Sequence, residues 1–476
     1  MTSPAPTPAT TTTPAATPRR AVVIGASIAG LLAARVLAEH YTQVVLLDRD
    51  ELPPEPTARP GVPHGRQVHG LLARGREVIE ELLPGLTEQL VTRGALLGDF
   101  QSQARFYVDG HPLAAGTSGL LALAVSRPLL EWQVRQQVAA LPNVQIRDRT
   151  SVLDLDCAPD SAPGAMRVTG VRLTRPDHPG PSTVLAADLV LDASGRTSRT
   201  PEQLQRRGYL APPEEHVRID VCYATRQFRR RPEHLSGQVA LIEPVGSAIP
   251  RAGLLLAQEG DRWVAGLTGY HGDRPPTDLP GFLAYADSCP GPLGATLRGL
   301  DPIDDGHTYR FPANVRRRYE RLTSFPEGLL VTGDALCAFD PAYGQGMTVA
   351  ALEALELRTC LRAGRHQLAP RFFRRAATHI DTPWTLVVGR DRELPGATDP
   401  APLATRLLNR YLRAVMTAAV HDPDLARTFL RVSHLTAPPS TLFTPRVIAG
   451  TAAAILSRTG AAPANQPASA AAAPPA

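Results

Sequence analysis

One short stretch near the start of the chain constrains the fold most. Ala21–Gly25 is an apolar run of strand length, Ser27–His40 carries Leu31, Leu32, Val36 and Leu37 at helical spacing, and Gln43–Asp48 is apolar again. A strand, a tight turn, a helix and a second strand within about 30 residues make a βαβ unit, the building block of a helix-covered parallel sheet. Between the first strand and the helix stands Gly25-Ala26-Ser27-Ile28-Ala29-Gly30. Gly25 permits the turn, and Gly30 lets helix and strand pack closely. The helix N-terminus offers free N–H groups and its positive dipole end to a pyrophosphate. Ser27 occupies the place of the usual middle glycine, and its small hydroxyl can donate to a phosphate. Asp48, ending the second strand, suits both hydroxyls of an adenosine ribose and disfavours a phosphorylated one.

The chain of 476 residues is too long for one core. After the Pro/Gly-rich loop Glu51–Gly65, helical patterns occur near Leu71–Leu83 and Pro128–Leu141, and Val184–Asp192 reads as one apolar strand. The pattern then changes. Val217–Phe228 alternates, with Val217, Ile219, Val221 and Tyr223 on one face, and Val239–Ile242 and Arg262–Tyr270 are strand-like. A strand returns at Gly328–Thr332, followed by a helix over Gly346–Leu361 and further helices over Pro370–His379, Ala404–Val420 and Pro445–Arg458. The expected boundaries are a tail at 1–19, a nucleotide-binding domain at 20–200, an inserted antiparallel sheet at 201–320, a return to the first domain at 321–365, C-terminal helices at 366–459 and a tail at 460–476. On the helix Ala404–Val420, Leu407, Leu408, Tyr411, Leu412, Val415 and Met416 form a stripe. The stripe is expected to pack on the nucleotide-binding domain rather than to lie on a membrane surface.

Composition removes several function classes. The 50 Lys+Arg residues are all arginine, the net charge is only +5, and no dense basic block occurs, so nucleic acid is not an expected partner. Cys157, Cys222, Cys289, Cys337 and Cys360 are scattered without a CxxC pair, which disfavours zinc and dithiol chemistry and fits a reducing compartment. Met1–Pro18 lacks the basic-then-apolar order of a signal peptide, and no apolar run approaches the roughly 20 residues of a spanning helix, so a cytoplasmic location is expected.

The motif that decides the cofactor lies late in the chain. Gly333-Asp334-Ala335 follows the returning strand, and Pro341-Ala342-Tyr343-Gly344-Gln345-Gly346-Met347 feeds the next helix. Here the chain resembles the flavoprotein monooxygenase superfamily, the para-hydroxybenzoate hydroxylase-like group. The resemblance implies that Asp334 holds the ribityl chain of FAD. It also implies that the helix begun by the Gly-rich loop points its N-terminus at the pyrimidine end of the flavin, where reduced flavin is negative. Ser126-Arg127-Pro128-Leu129-Leu130 resembles the family's segment whose arginine contacts FAD. Asp192-Ala193-Ser194-Gly195-Arg196-Thr197-Ser198-Arg199 resembles the middle motif, with Ser194 where an aspartate is usual. Arg59-Pro60-Gly61-Val62-Pro63-His64-Gly65-Arg66-Gln67-Val68-His69 looks like the branch containing the flavin epoxidases of polyether biosynthesis, in which the arginine and second histidine lie near the flavin. Arg66 is taken as a phosphate donor.

The resemblance therefore implies an α/β fold, with a Rossmann-like FAD-binding domain, an inserted antiparallel substrate sheet and C-terminal helices. It implies FAD as cofactor, with Gly25, Ser27, Gly30, Asp48, Arg66, Arg127, Gly333, Asp334, Pro341, Gly344, Gly346 and Met347 around it. In such enzymes a flavin hydroperoxide formed with O2 passes its distal oxygen to a small apolar organic substrate by epoxidation or hydroxylation, so no Ser-His-Asp set is required. Val221, Tyr223, Trp263 and Leu267 are candidates for the pocket wall. Ser194 puts direct use of NAD(P)H in question and points to a separate flavin reductase as the electron source. Flavin halogenases are excluded because they use an active-site lysine, and this chain has none. An isoprenoid reductase of the same fold and a non-catalytic flavin-binding partner stay open as alternatives.

Overall fold

The structure, a computed structural model, describes residues 19–160, 165–177, 180–246 and 249–460. Its first layer is a five-stranded parallel sheet in the order Leu329–Val331, Leu189–Asp192, Arg20–Ile24, Gln43–Leu47, Val144–Arg147. The inner strands are largely apolar because both faces are covered, as parallel sheets require, whereas the edge strand Val144–Arg147 is half polar and only partly buried. The helix Ile28–Leu37 packs between the strands and two other helices, Gly346–Arg362 and Arg127–Ala139.

The single strand expected over Val184–Asp192 is two strands. Thr183–Ala186 joins Ser151–Pro159 and Met166–Thr174 in a separate three-stranded antiparallel sheet, and Leu189–Asp192 enters the parallel one. The chain changes sheets at Ala187-Asp188, where the Asp188 carboxylate accepts the Arg20 N–H at 2.8 Å. A continuous apolar run does not reveal such a switch.

The second main layer is an eight-stranded sheet, in the order 337–338, 307–317, 214–229, 262–269, 251–258, 240–243, 104–108, 111–112. It takes strands from both sides of residues 201–320. Ala104–Val108 pairs in parallel with Ala240–Glu243, and Cys337–Ala338 pairs with His307–Arg317. One face packs Phe228, Trp263 and Leu267 against Phe282 and Leu293, which lie on the short helices Leu279–Ala286 and Leu293–Arg298. The other face looks toward the parallel-sheet domain.

At the C-terminus the helix expected over Pro370–His379 spans Leu368–Asp391 and runs through Pro383. Leu403–Ala419, Pro423–Ser433 and Pro445–Gly460 follow. These last three helices share a small core of their own, including Val415, Leu425, Leu442 and Val447. The expected packing of the 407–416 stripe on the nucleotide-binding domain is therefore corrected. Short connections bring sequence-neighbouring helices together, so only part of the stripe is covered, and Leu407 is 57% exposed. Among the described residues, no helix is long and apolar enough to cross a membrane.

Candidate functional site

A cavity of about 880 Å³ lies where the parallel sheet, the eight-stranded sheet and the C-terminal helices meet. Of the residues singled out from sequence, it is lined by Gly25, Ser27, Asp48, Arg127, Gly333, Asp334, Pro341, Gly344, Gly346, Met347 and Tyr223. Gly30 is buried within the first helix behind it.

One end is built on the first βα turn. Gly25 has φ +101°, and a Cβ there would sit 2.5 Å from the Ala193 carbonyl oxygen. A Cβ on Gly30 would lie 1.8 Å from the Gly25 oxygen, so only glycine allows this approach of helix to strand. No side chain caps the helix N-terminus, which leaves its first N–H groups for a ligand. The Ser27 hydroxyl is engaged instead, donating to Glu131 Oε2 and accepting from Arg127 Nη2, both at 2.6 Å.

Arg59 gathers the charges beside that turn. Its Nη1 lies 2.8 Å from Asp50 Oδ2 and 3.3 Å from Asp48 Oδ1, and its Nε lies 2.8 Å from Glu131 Oε1. Asp48 also accepts the N–H groups of Ala26 at 2.8 Å and Asp50 at 2.9 Å. Burial raises the Asp48 carboxyl. Burial also acts upward on Glu131, but Arg127 and Arg59 outweigh it and hold that carboxyl below its ordinary range. Sequence reasoning did not identify Arg59 or Glu131 as site residues. The available signal was the four-residue spacing of Arg127 and Glu131 on one helix face.

Arg66, expected at a phosphate, is exposed and outside the cavity lining. Pro63–Arg66 forms a tight 3-10 turn that leaves Arg66 outward, and the arginine of this segment that lines the cavity is Arg59. His64 and His69 do line the cavity, with ring centroids 5.5 Å apart. Burial first, then the Arg127 charge, lowers both, His69 to about 4, so both rings are neutral near pH 7.

The middle of the cavity is the Gly333–Met347 segment. Gly333 has φ +64° and Gly344 φ +66°, left-handed turns that favour glycine. Asp334 opens onto the cavity while protein encloses it, and that burial raises its carboxyl. Behind the turn, Glu353 Oε2 accepts Thr332 Oγ1 at 2.6 Å and the Gly333 N–H at 2.7 Å. Burial pushes Glu353 up to about 7. A Cβ on Gly346, the first residue of the helix Gly346–Arg362, would meet nothing within 4 Å, so the helix N-terminus faces open space.

A buried polar network fixes this loop. Asp340 accepts from the hydroxyls of Tyr223 and, at 2.7 Å, Tyr270. Its N–H donates to Asn314 Oδ1 at 2.6 Å, and Asn314 Nδ2 donates to Asp391 Oδ2 at 2.7 Å. Tyr343 donates to Asp391 Oδ1 at 3.2 Å. The loop is thus tied both to the eight-stranded sheet and to the first C-terminal helix. In the middle motif, Asp192 accepts the hydroxyls of Ser194, Ser198 and Thr200, each at 2.5 Å.

The far end is apolar, with Phe106, Leu254, Leu256, Leu412, Met416 and Phe429 among its lining. Three of the four expected wall residues are elsewhere. Trp263 and Leu267 face the short helices behind the sheet, where the Trp263 Nε1–H donates to His234 Nδ1 at 3.1 Å. On that strand Gly266 and Thr268 face the cavity. The strand is apolar or small on both faces, so alternation did not single out the wall. Val221 is fully buried beside Phe311, its cross-strand partner.

No family model matches the sequence. Protein Rv3254 of Mycobacterium tuberculosis is 36% identical over 427 residues, which covers 86% of this chain and 88% of that protein. A kynurenine 3-monooxygenase of Salinispora arenicola is 26% identical over 357 residues, 72% of each chain. Among solved structures, a flavoprotein/dehydrogenase of Cytophaga hutchinsonii superposes with a TM-score of 0.62 at 16% identity, covering 93% of this chain and 99% of its own. Pseudomonas aeruginosa PqsL in complex with 2-aminobenzoylacetate gives a TM-score of 0.58 at 16% identity, covering 87% and 99%. The chain belongs to the family of Protein Rv3254 and shares its fold with the flavoprotein/dehydrogenase and with PqsL.

The residues present fit an FAD. An uncapped helix N-terminus at Ser27 suits a pyrophosphate, and the space in front of Gly346 admits a flat ring against a second helix N-terminus. The cavity joins the two ends without a break.

Proposed function

We propose that this chain is an FAD-dependent monooxygenase that transfers one oxygen atom of O2 to an apolar organic substrate, as a hydroxyl or an epoxide. One observation carries the reading: a single cavity joins a charged, glycine-cradled groove to an apolar chamber. Bound FAD supplies the redox chemistry and the oxygen activation.

The chain's own residues divide the remaining work. Gly25 and the helix N-terminus at Ser27 receive the pyrophosphate, with Arg127 beside them and Asp48 at the adenosine ribose. Asp334 accepts from the ribityl hydroxyls. The Pro341–Met347 loop presents the N–H groups of its helix to the pyrimidine end, where negative charge develops on reduction. Asp340 holds that loop still through Tyr223 and Tyr270. Burial keeps both phenols protonated, so they present neutral walls. Phe106, Leu254, Leu256 and Met416 hold the substrate and exclude water.

Electrons come from a separate flavin reductase in this reading. Ser194 replaces the usual aspartate, and its hydroxyl is committed to Asp192. A nicotinamide without a placed contact forfeits the alignment on which effective molarities near about 10⁵ M depend. Oxygen uptake by the purified protein, supplied with a flavin reductase and a panel of olefins and phenols, tests the proposal. A substrate-dependent rise in uptake is expected. Substrate loss without oxygen uptake would instead make the chain a reductase.

A further inference from the structure

The cavity's outermost wall is a layer one helix thick, and its two sides differ. Inward, the helix Leu403–Ala419 and the 439–443 turn present Leu412, Met416 and Leu442 to the chamber. Outward, Leu403 is 64% and Leu407 57% exposed, and Phe443, Ile448 and Ile455 are each 46–48% exposed.

These outer residues adjoin one another. Leu403 and Leu407 are one turn apart on the helix. Tyr411, one turn beyond Leu407, stacks on Phe443 at 5.0 Å and donates its hydroxyl to the Leu442 carbonyl at 2.5 Å. Ile448 and Ile455 lie two turns apart on the helix Pro445–Gly460, which packs alongside Leu403–Ala419. The adjoining side of that helix, at Val447 and Thr451, is buried.

The charge on these two helices has one sign. Neither helix, nor the 439–443 turn before the second, contains an aspartate or glutamate, and Asp424 on the intervening helix is paired with Arg427 and Arg446. Arg413 is turned back to Glu393, and Arg446 to Asp424. Arg406 and Arg410 stay on the exposed side, next to Leu403 and Leu407. An apolar face edged by arginine is the pattern of an interfacial helix on anionic lipid. A two-fold contact between copies fits less well, because it sets like charges against each other.

We propose that the outer face of Leu403–Ala419 and Pro445–Gly460 docks on an anionic phospholipid surface, from which a lipophilic substrate passes through this layer into the chamber. The delivery step rests on the reading of the chamber as a substrate site, whereas the docking itself does not.

The test is co-sedimentation of the full-length, flavin-loaded protein with vesicles. Vesicles of phosphatidylcholine mixed with phosphatidylglycerol are compared with phosphatidylcholine alone. The expected result is binding to the mixed vesicles that weakens with added salt. The pair Arg406→Ala and Arg410→Ala should lower that binding by about thirtyfold, from roughly fivefold per arginine. The pair Leu403→Glu and Leu407→Glu should abolish it, with flavin content and circular dichroism unchanged because both side chains already face water. No binding to either vesicle, or undiminished binding by the glutamate pair, overturns the proposal. So does dimerisation of the wild type that the glutamate pair abolishes, without vesicle binding. Vesicle binding is read without turnover, so its failure is distinct from a failure to oxygenate any substrate.

Discussion

At the first βα turn the cavity wall is made of charges locked in pairs, whereas around Leu254, Leu256 and Met416 it is made of apolar side chains from elements distant in sequence. The two ends meet different physical demands. A fixed dianionic pyrophosphate rewards preset donors, and the arginines that supply them need buried carboxylates as counter-charges before the ligand arrives. An apolar substrate asks only for volume and dryness, which many side chains can meet. The charged end should therefore be brittle and the apolar end tolerant.

The largest break in that contrast should come from Arg59→Met. The Arg59 side chain is 6% exposed and partners three carboxylates. Removing it leaves buried charge uncompensated, an expected loss of about 3–5 kcal/mol in urea unfolding together with loss of flavin. A change under about 1 kcal/mol would show that water already reaches the cluster.

Next comes Glu353→Gln, read through pH. Burial raises the folded-state Glu353 from 4.5 to about 7. Its ionisation therefore opposes folding. Stability is full below the ordinary carboxylate range, is lost as pH rises toward about 7, and is flat above. The gap corresponds to about 3 kcal/mol. The glutamine variant should lose that pH slope in melting experiments, and an unchanged slope would assign it to other groups.

Asp334→Ala should weaken flavin binding roughly ten- to a hundredfold with circular dichroism unchanged, the cost of one charge-assisted hydrogen bond. Full flavin occupancy in this variant would move the ribityl contact elsewhere. The smallest effect is expected at the apolar end. Met416→Ala should change the KM of an apolar substrate by about tenfold and leave flavin content alone. Loss of flavin there would mean that the two ends are not separable.

The same contrast decides what could be read from the sequence. The cofactor end rests on local signals. Gly25, Gly30 and the Gly333–Met347 segment are turns and helix starts whose chemistry is written within a few residues, and the structure brings them onto or directly behind one cavity. The charge cluster was not legible, because Arg59 and Glu131 are 72 residues apart and Ser27 and Glu131 are 104 apart. The Asp340–Asn314–Asp391 bridge joins three elements for the same reason. At the apolar end, Arg262–Gly269 is nearly uniform in hydrophobicity, so its two faces could not be told apart, and the strand Arg251–Gln258 went unread. The C-terminal helices carry no motif, and their role in the wall emerged only from packing.

The most direct test of the central claim follows the oxygen atom itself. The protein is supplied with a flavin reductase, isotopically labelled dioxygen and an apolar olefin or phenol that stimulates oxygen uptake. The flavin released by heat is identified by chromatography, and the product is weighed by mass spectrometry. The account predicts FAD as the released flavin and a product carrying a single labelled oxygen atom. FMN as the released flavin, or a turned-over substrate that has gained hydrogen and no labelled oxygen, would contradict it.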